Sequence, residues 1–555
     1  MWYALIWVEV LALSLLAVSL VLSLSAASSP RWRQILWPAL VGLVIIGFLG
    51  SLTIASGQFY FRNIMPTWLF GYMLSLCVVF VVGCELIMHF GLKKSTAGQT
   101  SAAGWPSRGL FLFFLSVLSL HVLTVLAIDQ GVRFRIAGLH ARGCARISML
   151  LPPQIPDNRN AYVLYVKAAE QFRFPDPEQK QWGDWVYEVE KPDFDLATVN
   201  AEEIIEQNTS ALDLLHKAGD MEDYYFESDY LSPSYEIPSL LDARNAANLL
   251  ALSARHHAAN NNPDAAMADI SAIRAQAKHI GSTPIHISAM ISVAISNIVN
   301  RTLENVLGSM HPNYEKLTDS SGQNFVDFNR ILWRAFKMEE ATTSNLMSLI
   351  NEEGFSTFYS GFSELPAFDL IPSAYIRIFL MPPDIDYYLN RIHAMQKIVQ
   401  KPYYKGKKDI SSLYPQTPCG LFSGIIIPSL TRSKETTENA SVLQLLCSTA
   451  LGAVDFYKDN KKFPENLNKL VPKYLTIIPT DPFDGKPIKI KSVKNGLVLY
   501  SVGPNGKDDG GIQTEPGYHS GDITFYLGSA YKEQRLIPAV ERRKKGARRR
   551  AKNRK

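Results

Sequence analysis

The middle of the chain holds the first side chains that could do chemistry. Glu339 and Glu340 are adjacent carboxylates, the groups that an envelope hydrolase or a glycan-processing enzyme would use as acid and base. These glutamates and an aromatic cluster earlier in the chain could line a groove for a glycan or a peptide. An ordinary helix face and a structured loop would give the same pattern. The aromatic residues are Trp182, Trp185, Tyr224, Tyr225 and Phe226.

Other catalytic patterns are weak or missing. His256 and His257 could be a metal pair, but adjacent helical residues point about 100° apart and cannot easily face one ion. A solvated helix end explains them better. The sequence has no phosphate-binding loop, H-E-x-x-H motif, nucleophile elbow or glycine-rich dinucleotide turn. The residues therefore name no reaction.

Apolar runs dominate the first quarter of the chain. Each covers about 20 residues, the length of a helix that crosses a hydrocarbon core of roughly 30 Å. We therefore predict a membrane α-helical bundle of four spans at residues 1–130. The composition of the 555 residues, 47% hydrophobic and 19% charged, agrees with a chain that is partly membrane-embedded and partly soluble. The runs are residues 2–24, 35–54, 68–90 and 110–128.

Three ionisable side chains, Glu9, Glu85 and His121, lie inside the predicted spans. Because charge is costly in hydrocarbon, one interpretation is a proton or ion path through the bundle. In the other interpretation the two glutamates lie near span ends, where they reach the interface or hydrogen-bond a neighbour. No span repeats an acidic pattern, which favours the second interpretation.

Basic residues near the span ends indicate an orientation. The first and third short loops carry five basic residues and the second carries one, which places loops one and three in the cytoplasm. The basic flank after the fourth span points the other way, but it leads a long domain, so its charge has less influence. We therefore predict a multi-pass protein of the bacterial inner membrane, in contact with membrane lipids, whose large C-terminal part is extracytoplasmic.

Helical periodicity replaces solid apolar runs in residues 131–409. An apolar stripe at helical spacing runs through residues 270–280. The Asn-Asn-Asn-Pro-Asp segment 260–264 is expected to end one helix and cap the next, and the Gly-Ser-Thr-Pro segment 281–284 to do the same. Short turns between alanine-rich helices predict antiparallel pairs in a solenoid-like, all-α helical array.

Composition also divides the C-terminal part. Residues 410–434 are rich in Pro, Ser, Thr and Gly and predict a linker. A helix from near Thr436 and then short alternating segments predict a small α+β domain at 435–531. Residues 532–555 are predicted to be a disordered tail that contacts anionic lipids or polymers, or only aids solubility. Ten of the 56 basic residues lie in 541–555, so no specific nucleic acid is predicted for the slightly acidic remainder.

Short motifs follow one another in the α+β domain. Phe463-Pro464 comes first, followed by D-P-F at 481–483, L-Y-S-V-G at 499–503, two glycines at 510–511 and Asp522-Ile523. In this order they resemble the globular part of the major pseudopilin of bacterial type II secretion systems. The resemblance implies the fold of the domain and a setting in the bacterial envelope.

The resemblance also implies a calcium site. In the family the final Gly/Asp-rich loop binds Ca²⁺, which carries over to Asp508, Asp509 and Asp522. Ca²⁺ takes about six to eight oxygen ligands from a flexible loop, and the glycines nearby would let the backbone turn. An acidic turn without a metal is the alternative. Asn505 stands where the family often has aspartate, which lowers the charge of the site.

The chain departs from a pseudopilin in how the domain is attached. A pseudopilin joins its globular part directly to an apolar helix, whereas here the domain begins more than 400 residues after the first apolar run. Polymerisation as a pilus is therefore not expected. We predict an interaction or assembly role with protein partners in the envelope, linked to secretion or envelope organisation. The alternative is an envelope hydrolase or glycan-processing enzyme that uses carboxylates of the helical domain.

The five cysteines give a weaker signal. No pair has the spacing of a zinc site. Cys419 and Cys447 lie on either side of a predicted domain junction, where an extracytoplasmic setting permits a disulfide without implying one.

Overall fold

The structure is a computed structural model, and it describes a portion of the chain. The described residues are 137, 147, 150–174, 184–230, 236–317, 326–353, 381–413, 421–512 and 521–541. The chain divides into two compact units, and most described residues belong to the second. The first unit comprises residues 1–142, 346–390 and 415–428, and the second comprises 143–345, 391–414 and 429–555.

Helices make up most of the described residues. They are α1 (Ala161–Glu170), α2 (Ala201–Gln207), α3 (Thr209–Gly219), α4 (Leu240–Ala259), α5 (Pro263–Ser282), α6 (His286–Met310), α7 (Phe328–Glu353), α8 (Met381–Val399), α9 (Tyr403–Leu413) and α10 (Leu421–Asn460). The strands are β1 (Lys489–Val493), β2 (Gly496–Ser501) and β3 (Ile523–Gly528), and a π-helical turn follows at Tyr531–Leu536.

The first unit is described only in short stretches. Within it Asp384 is buried, and its Oδ1 accepts a hydrogen bond of 3.2 Å from the backbone N–H of Ser423. The first N–H groups of a helix have no partner inside the helix. Asp384 therefore satisfies one of them at the start of α10 from the first turn of α8.

Helices α4, α5 and α6 pack against one another in the core of the second unit. Alanines such as Ala247 and Ala277 are fully buried, so the backbones approach closely. Gln276 Nε2 donates to the carbonyl of Ala243 at 3.0 Å, and Ser292 Oγ donates to the carbonyl of Ala277 at 2.7 Å. The predicted antiparallel pairing of these helices is confirmed. The pairing does not continue as a regular stack, because α6 also packs against β3.

The predicted boundaries of α5 are confirmed as well. Asn262 caps the helix, since its Oδ1 accepts a hydrogen bond of 3.3 Å from the N–H of Ala265, and Pro263 occupies the first helical position. Proline fits that position because its missing N–H has no partner there in any case. The helix ends at Ser282, within the next predicted break at 281–284, but that segment does not cap α6, whose N-cap residue Ile285 makes no side-chain cap hydrogen bond.

The small sheet is antiparallel in the order β1-β2-β3. The edge of β3 that faces away from β2 meets α6. Glu304 Oε1 accepts a hydrogen bond of 3.0 Å from the N–H of Tyr526, and Arg301 Nη1 donates to the carbonyl of Thr524 at 3.2 Å. Side chains of a helix thus take the place of a fourth strand and cover an edge that would otherwise be open.

The chain after β3 also packs closely against α6. A Cβ atom at Gly308 would lie 2.3 Å from the ring of Tyr531, so only glycine leaves room for this ring against α6. The hydroxyl of Tyr531 donates to Asn305 Oδ1 at 2.8 Å. The C-terminal sheet and the helices of the second unit are therefore one packed body, not domains joined by a tether.

The predicted fold class is wrong in its four-span bundle. The four spans fall in residues 1–130, outside the described residues. Among the described residues, a single helical segment, Ser429–Asn460, is long and apolar enough to cross a membrane, and it is none of the four. Of its most apolar window, 67% is buried inside the protein. Length and apolarity alone cannot distinguish a span from a core helix, because both bury their side chains on all sides.

The predicted linker at 410–434 is also corrected. Residues 403–413 form α9, and residues 421–434 belong to the long helix α10. Within this stretch Ser433 Oγ donates to the carbonyl of Leu430 at 2.5 Å, and just after it Thr436 Oγ1 donates to the carbonyl of Arg432 at 3.1 Å. Composition suggested a loop because these residues favour turns, but the carbonyls of a helix can also accept their hydroxyls.

Candidate functional site

The D-P-F turn is held together by Asp481, which is fully buried. Its Oδ1 accepts hydrogen bonds of 2.9 Å from the N–H of Phe483 and from Ser501 Oγ, and its Oδ2 accepts one of 3.0 Å from the N–H of Val502. Burial raises the pKa of Asp481, and these hydrogen bonds oppose the rise. The D-P-F and L-Y-S-V-G motifs are thus two halves of one hydrogen-bonded structure.

The Gly/Asp loop, residues 503–512 with 521–523, is held in the same manner by Asp522. This side chain is buried, its Oδ1 accepts from the N–H of Asp509 at 3.2 Å, and its Oδ2 accepts from the N–H of Gly511 at 2.7 Å. Gly503 has φ of +63°, and a Cβ there would lie 2.5 Å from the carbonyl oxygen of Gly521. The loop is therefore fixed to the start of β3 by the carboxylate of Asp522 and by the close approach of Gly503 to Gly521.

Side chains on the outer side of the Gly/Asp loop remain accessible. Asp508 and Asp509 are exposed, and Ile512 is 60% exposed. Asn505 Nδ2 donates to Asp509 Oδ2 at 3.1 Å, and Asp508 Oδ1 accepts from the N–H of Gly510 at 3.0 Å. These local bonds orient the acidic side chains. The loop thus presents two carboxylates and one large apolar side chain on a fixed backbone.

The three aspartates lie close enough to influence one another. Burial is the main cause that raises the pKa of Asp522, and Asp509 and Asp508 add to the rise, while the N–H groups of Gly511 and Asp509 lower it. Burial, together with the carboxylate of Asp508, raises the pKa of Tyr500 to about 12. The carboxylates of Asp508 and Asp509 thus act on Asp522, while Lys407 Nζ and Lys491 Nζ donate to the carbonyls of Pro504 and Gly510 in the same loop.

The three aspartates are not gathered around one point as ligands of a metal ion in this arrangement. Both oxygens of Asp522 already accept backbone N–H groups, and Ca²⁺ needs about six to eight oxygens that face it. Among the described residues, no group of three His, Cys, Asp or Glu side chains is arranged to hold a metal. Calcium binding at Asp508, Asp509 and Asp522 stays a prediction from the resemblance.

A melting experiment on the full-length protein separates these possibilities. Because the loop is fixed by hydrogen bonds, we expect equal Tm values in chelator and in millimolar calcium. Asp522→Ala should lower stability by about 2 kcal/mol in both buffers, since it leaves two backbone N–H groups without acceptors. Asp508→Ala, on the exposed side, is the control and should change little. A rise of several degrees in calcium that Asp522→Ala abolishes would restore the metal site.

The carboxylates considered for catalysis are engaged in packing. Glu340 is buried, and its Oε2 accepts from Gln396 Nε2 at 2.9 Å and from Lys337 Nζ at 3.3 Å. Glu339 also has interaction partners. Of the aromatic cluster, Tyr224 and Phe226 are buried, and Trp182 lies outside the described residues. This geometry lends no support to a glycan-processing site.

A cluster around Asp269 was missed by the sequence analysis. Asp269 on α5 is buried, His216 Nε2 on α3 lies 2.7 Å from its Oδ1, and His257 Nε2 on α4 lies 4.0 Å from its Oδ2. His257 was expected to be part of a solvated helix end. The three residues come from three helices, so no spacing along one helix could reveal them. Only the packing of α3, α4 and α5 brings them together.

This cluster predicts a pH dependence. The hydrogen bond to Asp269 is the largest cause that raises the pKa of His216, and burial opposes it. Nearby Asp213 and Asp220 add to the rise. A raised pKa in the folded state means that protonation stabilises it, fully below the ordinary value of 6.5 and less as the pH rises through the folded value.

We therefore expect His216→Gln to lower Tm most at about pH 5.5 and least at about pH 8. His256→Gln is the control, because His256 bonds to Asn260 Nδ2 at 2.9 Å and not to a carboxylate. Thermal melts of the three proteins across this pH range measure the effect. A loss of Tm that is the same at every pH would contradict a charged pair.

The tail predicted at 532–555 is wrong for its first ten residues, since 532–541 are helical and Arg535 pairs with Glu304 at 3.4 Å. Cys447 is a free, fully buried thiol. Residues 542–555, Cys419, Glu9, Glu85 and His121 lie outside the described residues. No protein-family model, curated protein or solved structure matches the chain. The likeness to a pseudopilin domain therefore rests on the motifs alone and stays a prediction.

Proposed function

We propose that the protein serves protein–protein interaction or assembly, and that its Gly/Asp loop is the contact surface. The proposal rests on the buried carboxylate of Asp522, whose two oxygens each accept a hydrogen bond from a backbone N–H of the loop. A loop held in one shape loses little conformational entropy on binding. The fixed backbone presents exposed side chains and no reactive group.

The helical body supports this surface. Three connections hold the sheet and its turns to the helices. The N–H of Tyr404 on α9 donates to the carbonyl of Pro482 at 3.0 Å, and Lys407 Nζ donates to the carbonyl of Pro504 at 2.7 Å. On the other side, Glu304 of α6 accepts from the N–H of Tyr526. A partner that contacts the loop would therefore engage a rigid body of several helices.

The exposed side chains define the partner's chemistry. Asp508 and Asp509 favour a surface with lysine or arginine, and Ile512 favours an apolar depression beside it. Charge complementarity of this kind mainly sets the partner and the association rate, while the apolar contact adds affinity. The partner is thus a protein with a basic rim around an apolar pocket. Its setting in the bacterial envelope stays a prediction from the motifs.

Site-specific photo-crosslinking in cells tests the proposal. A photo-reactive residue in place of Lys507, which is exposed on the loop, should give a discrete adduct with a second protein. The matched control replaces Lys217, which is exposed on α3 away from the sheet. Equal adducts at both positions, or none at Lys507, would contradict a contact surface at the loop.

A further inference from the structure

Arg274 on α5 is buried without a hydrogen-bond partner for its Nη2. The residue is 9% exposed, and this nitrogen contacts no acceptor among the described residues of the chain. Burial lowers the pKa of the guanidinium, but arginine remains charged in proteins. An unpaired buried cation is costly, so it calls for an anionic partner or for water.

A second orphan donor lies in the same interior. Asn300 on α6 is 2% exposed, and its Nδ2 has no acceptor within the described ranges, while its Oδ1 lies 3.4 Å from Cys447 Sγ. Among the neighbouring charges, that of Arg274 does most to lower the pKa of the Cys447 thiol. Ser296, one turn before Asn300 on α6, also has a buried hydroxyl without a partner there. Orphan donors on α5 and α6 therefore lie in the packed interior to which the thiol of Cys447 on α10 belongs, and Asn300 contacts that thiol directly.

The carboxylate of Glu304 in this interior already has ion-pair and hydrogen-bond partners. Glu304, one turn after Asn300, pairs with Arg301 at 3.1 Å and with Arg535 at 3.4 Å, and it also accepts the N–H of Tyr526. It has no capacity left to neutralise Arg274. The thiol of Cys447 cannot do so either, because burial raises its pKa to about 12 and keeps it protonated.

We propose that Arg274 and Asn300 bind a small inorganic anion in the interior between α5, α6 and α10. The guanidinium of Arg274 supplies the compensating charge, and the side-chain Nδ2 of Asn300 and the hydroxyl of Ser296 supply further donors. The ion is small because Asn300, Ser296 and Cys447 are all closed to solvent. The anion stabilises the packed helices and is not a substrate.

Thermal melts of the full-length protein test this site with chloride as the probe. Ionic strength is held constant by exchanging sodium chloride for sodium gluconate, whose anion is too large to enter. The Tm of the wild type should rise with the logarithm of chloride concentration once this exceeds Kd, because the ion binds the folded state. A rise with sulfate in place of chloride would support the site and assign it to an oxyanion.

The variant Arg274→Met gives the sharper result. It should show no dependence on the anion, fall below the wild type at high chloride, and equal or exceed the wild type without chloride, since it removes an uncompensated charge. Arg255→Met is the control. Arg255 donates to the carbonyls of Val189, Lys191 and Phe194, so its loss should lower Tm but preserve the chloride dependence.

Anomalous diffraction from crystals grown in bromide locates the ion without any variant. A peak within hydrogen-bonding distance of Arg274 Nη2 is expected. A wild type with no anion dependence, or Arg274→Met more stable than the wild type at every chloride and sulfate concentration, would overturn the proposal and leave the guanidinium hydrated by water alone.

Discussion

Glu304→Ala is expected to destabilise the second unit by about 3–5 kcal/mol, the usual cost of removing one partner of a buried ion pair. Glu304 is fully buried and pairs with Arg301 and Arg535. Its removal leaves two cations without their carboxylate and the N–H of Tyr526 without an acceptor. Urea denaturation of the full-length protein measures the loss.

Two further variants show whether the charge or the hydrogen bond dominates. Glu304→Gln keeps an acceptor for the N–H of Tyr526 but loses the charge, so its stability should lie between those of the wild type and the alanine variant. Ser309→Ala lies on the exposed side of the same helix and should change stability by less than about 0.5 kcal/mol. A similarly small change for Glu304→Ala would mean that β3 is not fixed to α6 in this way.

The second large effect concerns a buried ion pair within α10. Lys434 and Glu438 are both buried and pair one turn apart, and Lys434 Nζ also donates to Asn329 Oδ1 at 2.8 Å and to the carbonyl of Val399 at 3.1 Å. Burial lowers the pKa of Lys434 and raises that of Glu438, and each partner opposes the other's shift. The pair ties α10 to α7 and α8.

We expect Lys434→Met and Glu438→Leu each to cost about 3–5 kcal/mol, because each leaves a buried charge alone. The double variant should cost less than either single variant, since no charge is then left unpaired. Denaturant titrations of the four proteins form a double-mutant cycle. Losses that simply add would show that the two side chains do not depend on each other.

Local signals in the sequence predicted local structure well. Asn262 and Pro263 place the start of α5 because a cap and a missing N–H act within one turn. A helical stripe and alternating segments predicted a helix followed by strands. The motifs at 481–483 and 499–503 occur together because Asp481 bonds to Ser501 and Val502. The cap at Asn262 depends on neighbours within one turn, and the contacts of Asp481 join segments 20 and 21 residues apart.

Long-range partners could not be predicted in the same way. Glu304 and Tyr526 are 222 residues apart, and no motif in either segment indicates that the two residues are in contact. His216 and Asp269 meet only through packing of separate helices. Composition was misleading for residues 421–434, which form a helix in which Ser433 donates to the carbonyl of Leu430. Run length was misleading for the fold class. Asp522 was correctly placed in the loop, but its hydrogen bonds to the backbone were not foreseen.

The most direct test of the proposed interaction is the yield of the photo-crosslinked adduct at position 507 in two altered backgrounds. Asp522→Ala should reduce the adduct strongly although every exposed side chain of the loop remains, because the backbone is no longer fixed. Asp508→Lys with Asp509→Lys should abolish it by reversing the charge that a basic partner recognises. An adduct of unchanged yield in both backgrounds would contradict a contact that depends on the fixed, acidic Gly/Asp loop.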